Sequence, residues 1–241
     1  MFKYTLIIVA LLLNACATNE SLDFSKSAKK DYLKGKSLIA SGKQARAVQF
    51  LEKFAAKYPY SEYATKAKIL RIEAAYLDEQ YVLSETLALR FLDTHPTHPQ
   101  LARVQHLLGM SYYQESSNAN HDQQFSNKAR DTFVTLNKNY PNNPNFNKAK
   151  KYIQELTDRL AEHELIVGKF YFDKKLYVAA ANRFILAKNT YPDSYKIDEI
   201  LYHLMASYIA LKQTDYAKEV LVALQKQPNA NAWLKKAEAL H

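Results

Sequence analysis

Apolar and polar positions along the chain fall into three patterns, each predicting a different element. Near the start, Leu6-Ile7-Ile8-Val9-Ala10-Leu11-Leu12-Leu13 is an unbroken apolar run. It is far shorter than the roughly 20 residues that cross a membrane. It follows Lys3, and it predicts the hydrophobic part of an export signal. In the second half, Ala149, Tyr152, Ile153, Leu156 and Leu160 recur at helical spacing and predict one long helix. The third pattern has a longer period. A small residue is followed twelve positions later by Ala and twelve after that by Pro, as in Gly35, Ala47, Pro59 and in Gly168, Ala180, Pro192. Gly109, Ala129 and Pro141 repeat the order around a polar insertion at 116–122. Ile72, Ser84 and Pro96 keep the spacing with other residues, and Tyr208, Ala217, Leu221 and Pro228 form a fifth unit one residue short.

Each unit predicts two antiparallel helices. A small residue on the first lets the second approach, Ala returns the favour, and Leu51, Phe133, Phe184 or Leu221 fills the space one turn later. Pro ends the second helix because it cannot continue one and restricts the residue before it. The pattern is similar to the tetratricopeptide repeat (TPR). The expected fold is all-α, a right-handed superhelical TPR-like solenoid of about five helical hairpins. Residues 28–145 would hold about three repeats. Residues 146–241 would hold a long connecting helix and about two more.

Composition narrows the class. Hydrophobic residues make up 48% of 241 positions, too many for a disordered chain. Four Gly are too few for a many-stranded barrel or the Gly-rich loops of nucleotide enzymes. A single Cys excludes an intramolecular disulfide and a multi-Cys zinc site. That Cys stands in Leu13-Asn14-Ala15-Cys16, directly after the apolar run, and resembles a bacterial lipobox. The resemblance implies removal of residues 1–15 and lipidation of Cys16. Ala17, in place of Asp, implies the outer membrane, on its periplasmic face. Residues 16–27 read as a flexible tether.

No GxSxG, GxxxxGK[ST] or GxGxxG motif is present, and His163-Glu164 lacks the second His of HExxH. The pair His95 and His98 sits among prolines and reads as a turn. No enzyme activity, metal or cofactor is expected. The net charge of +9 is spread along the chain, not gathered in the stripe that nucleic acid requires. Most tyrosines read as core. Tyr58, Tyr60 and Tyr63 are expected to line a groove.

Several local runs are similar to the BamD (ComL) family of outer-membrane assembly lipoproteins. They are Thr94-His95-Pro96-Thr97-His98-Pro99, Lys128-Ala129-Arg130-Asp131-Thr132-Phe133 and Val178-Ala179-Ala180-Ala181-Asn182-Arg183-Phe184. The resemblance implies a non-enzymatic subunit of the β-barrel assembly machinery. Its C-terminal repeats would hold the periplasmic POTRA region of a BamA-like barrel protein. Its N-terminal repeats would hold unfolded outer-membrane protein segments or accessory lipoproteins. It implies partner contact for Arg183 and Asn182, and a place near the substrate-binding face for Tyr58. The competing reading is a periplasmic TPR adaptor of cell-envelope or division machinery.

Overall fold

The computed structural model describes residues 19–116 and 118–240. The expected export signal and Cys16 lie outside the described residues. Twelve helices are seen among the described residues, and they pair into five hairpins and a final single helix. The described chain forms two compact units, the first ending at Leu107 and the second beginning at Leu108.

In the first unit, α1 (Asn19–Ala40) pairs with α2 (Gln44–Glu52) and the short α3 (Phe54–Lys57). α4 (Tyr63–Leu77) pairs with α5 (Tyr81–Thr94), and the first seven residues of α6 (Leu101–Glu115) belong to this unit, the rest to the second. The core holds Ala28, Ala47, Val48, Leu51, Phe54, Tyr58, Leu70 and Ala74. The expected tether through residue 27 is corrected here, because residues 19–27 are helical and continue into the first hairpin. No Gly or Pro interrupts the chain from there to Gly35. Ala28 is fully buried, and Phe24, one turn earlier, meets the Tyr58 ring edge-on at 5.2 Å.

The second unit contains α7 (Gln124–Asn139), α8 (Phe146–Asp173), α9 (Tyr177–Thr190), α10 (Ile197–Ala210), α11 (Thr214–Gln225) and α12 (Asn231–Glu238). The long helix expected from the apolar spacing is α8. Its 28 residues span about 42 Å. The division expected between 145 and 146 is corrected, because α8 packs along both α7 and α9. Its Tyr152 stacks on Phe133 of α7 at 5.3 Å, so no gap opens there. The insertion is docked on the same helix. Arg159 Nη1 donates to Ser116 Oγ at 2.7 Å, and His163 Nδ1 donates to the Ala119 carbonyl at 2.7 Å. His163 is therefore a structural donor.

The twelve-residue spacing has a steric basis. A Cβ added at Gly35 would lie 2.7 Å from Leu51 Cδ2, and one at Gly109 would lie 2.7 Å from Phe133 Cε1. One at Gly168 would overlap the Phe184 ring. Ala47, Ala129 and Ala180 are fully buried. In the second hairpin, Ser84 takes the Ala position and donates to the Ile72 carbonyl across the pair at 3.3 Å.

Turns repeat as faithfully as the packing. Seven residues after Gly35, Ile72 and Gly168 come Gly42, Glu79 and Lys175, all at positive φ near 60–73°. In each case the next amide donates back to the carbonyl five residues earlier at 2.9 Å: Lys43 to Leu38, Gln80 to Ala75, Leu176 to Tyr171. This is the Schellman closure of a helix. The fifth hairpin has the same turn at Lys212, with Gln213 donating to Tyr208. Counting back seven puts Met205, not Tyr208, at the small-residue position. From Met205 to Ala217 the spacing is again twelve, so only Pro228 falls one short. Second helices end alike. Tyr58, His95, Tyr140 and Tyr191 leave the helical region at φ −129° to −135°, as a residue before Pro must.

The end of the second unit is sealed by aromatic packing. Trp233 of α12 lies 5.1 Å from Tyr202, and Lys236 sits 3.9 Å above its ring. His203 is enclosed by Phe184 at 5.6 Å, Phe172 at 6.0 Å and Trp233 at 6.2 Å. Its Nδ1 is buried without a hydrogen-bond partner, and Nε2 is 3.8 Å from Glu199 Oε1. Burial, helped by Lys169, pushes the imidazole pKa down to about 4.

Two outcomes follow for stability. Gly168→Ala should destabilise the second unit by about 1–3 kcal/mol through overpacking. Combined with Phe184→Leu it should cost less than the sum of the two single changes, as read by thermal unfolding. The unfolded chain binds a proton on His203 near pH 6.5, and the folded unit only near pH 4. Stability is thus complete above about pH 6.5 and falls by about 3 kcal/mol as pH drops toward 4. Urea unfolding followed by fluorescence of the sole tryptophan should show this loss, and His203→Phe should flatten it.

Candidate partner-binding surfaces

In the first unit, the first helices of successive hairpins line a groove of about 510 Å³. α1 contributes Tyr32, Lys36 and Ile39, α4 contributes Tyr63, Lys66, Ile69 and Glu73, and α6 contributes Arg103, with Gln100 in the turn just before it. The Tyr32 and Tyr63 rings face each other at 5.2 Å, and Lys66 Nζ lies 4.8 Å above Tyr63. The groove therefore offers aromatic faces beside exposed ammonium groups.

Its charge follows from the repeat. Glu73 and Arg103, thirty residues apart, form an ion pair at 2.5 Å between consecutive first helices. In the second unit, Lys169 and Glu199, also thirty apart, form the same pair at 2.9 Å with the signs exchanged. Lys36 and Lys66 occupy the same two positions of the first hairpin pair. There the ladder sets two cations against each other. Lys66 turns to Glu62 on its own helix at 3.0 Å, and both residues of that pair are well exposed. One rung of the groove thus carries excess positive charge.

The expected cluster of Tyr58, Tyr60 and Tyr63 does not form. Tyr58 is 3% exposed, and its hydroxyl donates to Asp31 Oδ2 at 2.7 Å. Lys57 donates to the same oxygen at 2.8 Å. Burial opposes ionisation of Asp31, but these two donors outweigh it and hold the carboxyl below its usual pKa. Tyr60 is 96% exposed and lines neither this groove nor the cleft beside Tyr58. Only Tyr63 reaches the groove. The reason lies in the turn: a Tyr before Pro faces back into its own hairpin, so Tyr58 belongs to the core.

The Asn182–Arg183 pair lies on α9. Asn182 is exposed, while Arg183 is half-buried with Nη1 3.2 Å from Glu164 Oε2. Glu164 holds the repeat position that Asp31 holds in the first hairpin, beside the tyrosine before Pro. Val178 and Leu186 flank Asn182 at four-residue steps and are 62% and 44% exposed. Apolar groups beside a polar anchor suit a protein interface. The sequence reading missed these two valine and leucine positions, although their spacing signals a shared face.

Hairpins in TPR register, with a groove along their first helices, define a TPR-type helical repeat protein. The chain belongs to the YfiO family, described as outer membrane lipoprotein, whose model matches residues 25–223. It is 29% identical over 215 residues to "Outer membrane protein assembly factor BamD" of Rickettsia prowazekii (strain Madrid E), covering 89% of this chain and 86% of that protein. The protein of the same name from Vibrio cholerae is 27% identical, with 82% and 86% covered. That of Neisseria meningitidis serogroup A is 24% identical, with 90% and 87% covered. Among solved structures, "TPR2AB-domain:pHSP90-complex of yeast Sti1" has a TM-score of 0.48 at 14% identity, covering 89% of this chain and 84% of that one. The fold assignment rests on the hairpins themselves. No helix among the described residues is long and apolar enough to cross a membrane.

Tyr58→Phe should lower the stability of the first unit by about 1 kcal/mol, the worth of one hydrogen bond. Tyr60→Ala should change it by less than about 0.5 kcal/mol. Denaturant unfolding of both variants checks the assignment of Tyr58 to the core.

Proposed function

We propose that this protein is a non-enzymatic lipoprotein subunit of outer-membrane β-barrel assembly. In this reading Cys16 anchors it by lipid at the periplasmic face of the outer membrane. The groove of the first unit holds extended segments of unfolded barrel precursors or accessory lipoproteins. The Asn182–Arg183 face of the second unit holds the periplasmic region of a BamA-like barrel protein. Family membership supports the setting, and the relatives' shared name, outer membrane protein assembly factor, supports the role.

The observation that carries the binding role is the groove with its Lys36–Lys66 rung. A barrel strand alternates apolar and polar residues and carries aromatic girdles. Such a segment can lay aromatic and aliphatic side chains on Tyr32, Tyr63 and Ile39. Its acidic groups can meet the two ammonium groups left without cross-helix partners. A groove built from packed helices is already ordered, so the ordering cost falls on the client alone. Affinity should stay modest, since the client must leave to insert. At the other surface, an acidic partner group must compete with Glu164 for Arg183.

The test is photo-crosslinking and co-purification from membrane extracts. A photoreactive residue at Gln100 should capture unfolded barrel precursors, and one at Lys218 in α11 should not. Lys36→Glu restores the acid–base rung seen at Glu73–Arg103 and should weaken that capture about tenfold, a charge-pair effect of ordinary size. Arg183→Glu, with Arg183→Gln as the neutral control, should lower recovery of the BamA-like protein while helicity is kept. Undiminished capture by Lys36→Glu removes the groove assignment, and undiminished recovery with Arg183→Glu removes the interface.

A further inference from the structure

A stack of hairpins buries each repeat against its neighbours, and the end repeats need covers of their own. In the second unit α12 covers the fifth hairpin, with Ala237 buried and Trp233 on Tyr202. In the first unit no described helix covers the outer side of the first hairpin. That side is a cleft of about 610 Å³ between α1 and α2–α3. Its floor is formed by the half-buried Phe50 over the core rings of Phe54 and Tyr58.

The rim is cationic. Arg46 and Lys53 line it, and Lys34 Nζ lies 4.9 Å from the Phe50 ring centre. Both carboxylates at the cleft are already matched, Asp31 by Lys57 at 2.8 Å and Glu52 by Arg71 at 2.8 Å. Lys34, Arg46 and Lys53 form no ion pair with a described residue. Position adds a second observation. α1 is already helical at Asn19, three residues after Cys16. Three residues reach at most about 11 Å. Phe24, which lies against Tyr58, is about 8 Å further along the helix. An anchor at Cys16 therefore keeps Phe24 within roughly 20 Å of the lipid surface, and Lys34, about 15 Å further along the helix, within roughly 35 Å.

We infer that this cleft docks on anionic phospholipid headgroups of the membrane that holds the anchor, and so orients the first unit on that surface. The inference rests on the lipid-anchor reading of Cys16. Phosphate groups meet Lys34, Arg46 and Lys53, and the half-buried Phe50 ring beside Lys34 adds an apolar contact at the headgroup layer. The lipid anchor holds the protein at the membrane, and the basic patch adds a second, electrostatic contact that selects which face meets the lipid.

The test uses the chain from residue 16 with Cys16→Ser, which carries no lipid. It is sedimented at about 0.15 M salt with vesicles of phosphatidylglycerol and phosphatidylethanolamine, or of phosphatidylcholine alone. Each basic residue near an anionic surface is worth roughly fivefold in binding. Partitioning to the anionic vesicles should be at least about tenfold stronger. Lys34→Glu, Arg46→Glu and Lys53→Glu together should abolish that preference. Lys218→Glu, Lys226→Glu and Lys235→Glu, the same charge change in the second unit, should leave it in place. Helicity by circular dichroism confirms that both triple variants are folded. Equal binding to both vesicle types, or equal loss in both triple variants, overturns the inference. Membrane fractionation of the full chain with and without Cys16→Ser tests the anchor by itself, so the two readings fail separately.

Discussion

The structure depends on one constraint, the close approach of two helices where one of them has no side chain. At Gly35, Gly109 and Gly168 the opposing Leu51, Phe133 or Phe184 occupies the volume a Cβ would need. The contact fixes the axial register of each hairpin, and the rest follows from it. The register sets where the first helix must stop, seven residues on, in a left-handed residue that closes a Schellman turn. It also sets where the second helix ends before Pro. The hairpins without Gly show how far the constraint bends. Ile72 is matched by Ser84, whose hydroxyl bonds the Ile72 carbonyl, and Met205 is matched by Ala217. In both the second helix supplies a small side chain, so smallness is kept on at least one side.

Because the register repeats, so does the chemistry at each position, and departures stand out. Glu73–Arg103 and Lys169–Glu199 show that the rung thirty residues apart is an ion pair whichever way round the charges fall. Pairs as exposed as these contribute about 0–1 kcal/mol each. Losing one costs the fold little, so Lys36 and Lys66 can face each other without threatening the hairpins. A binding surface is cheapest to build at a position whose native interaction is weak. The Tyr58 position is the opposite case. Its ring and hydroxyl are consumed by Phe24, Phe54 and Asp31, leaving nothing to offer a ligand.

This contrast explains what was legible in the sequence. Hairpins, their prolines, the long α8 and the partner residues of the glycines were readable, because steric constraints select residue type directly. Tyr-Pro was readable as a helix end, but the direction of the Tyr58 ring was not, since it depends on Asp31 twenty-seven residues earlier. The groove residues were missed because Tyr32, Lys36 and Arg103 are ordinary helix-surface residues in one dimension. Only the thirty-residue rung brings them to a common face, and that rung becomes visible once the fifth hairpin is counted from Met205. Nine helical residues, 19–27, were read as tether because one apolar contact at Phe24 and one at Ala28 make a weak period by themselves.

The early start of α1 changes what an anchor at Cys16 can do. A flexible tether of a dozen residues would let the first unit tumble near the lipid, with any of its faces presented. A helix already formed three residues beyond such an anchor would remove most of that freedom, because its axis carries the whole hairpin with it. Orientation then costs little further entropy, and even weak headgroup contacts can select one face. The same stiffness acts on the groove. Tyr32 and Lys36 lie on α1, thirteen and seventeen residues from its first residue, so whatever fixes the helix at the membrane also fixes where the groove opens. In the proposed role, a client strand destined for the membrane would then be received at a set height above it, by a surface that does not have to search.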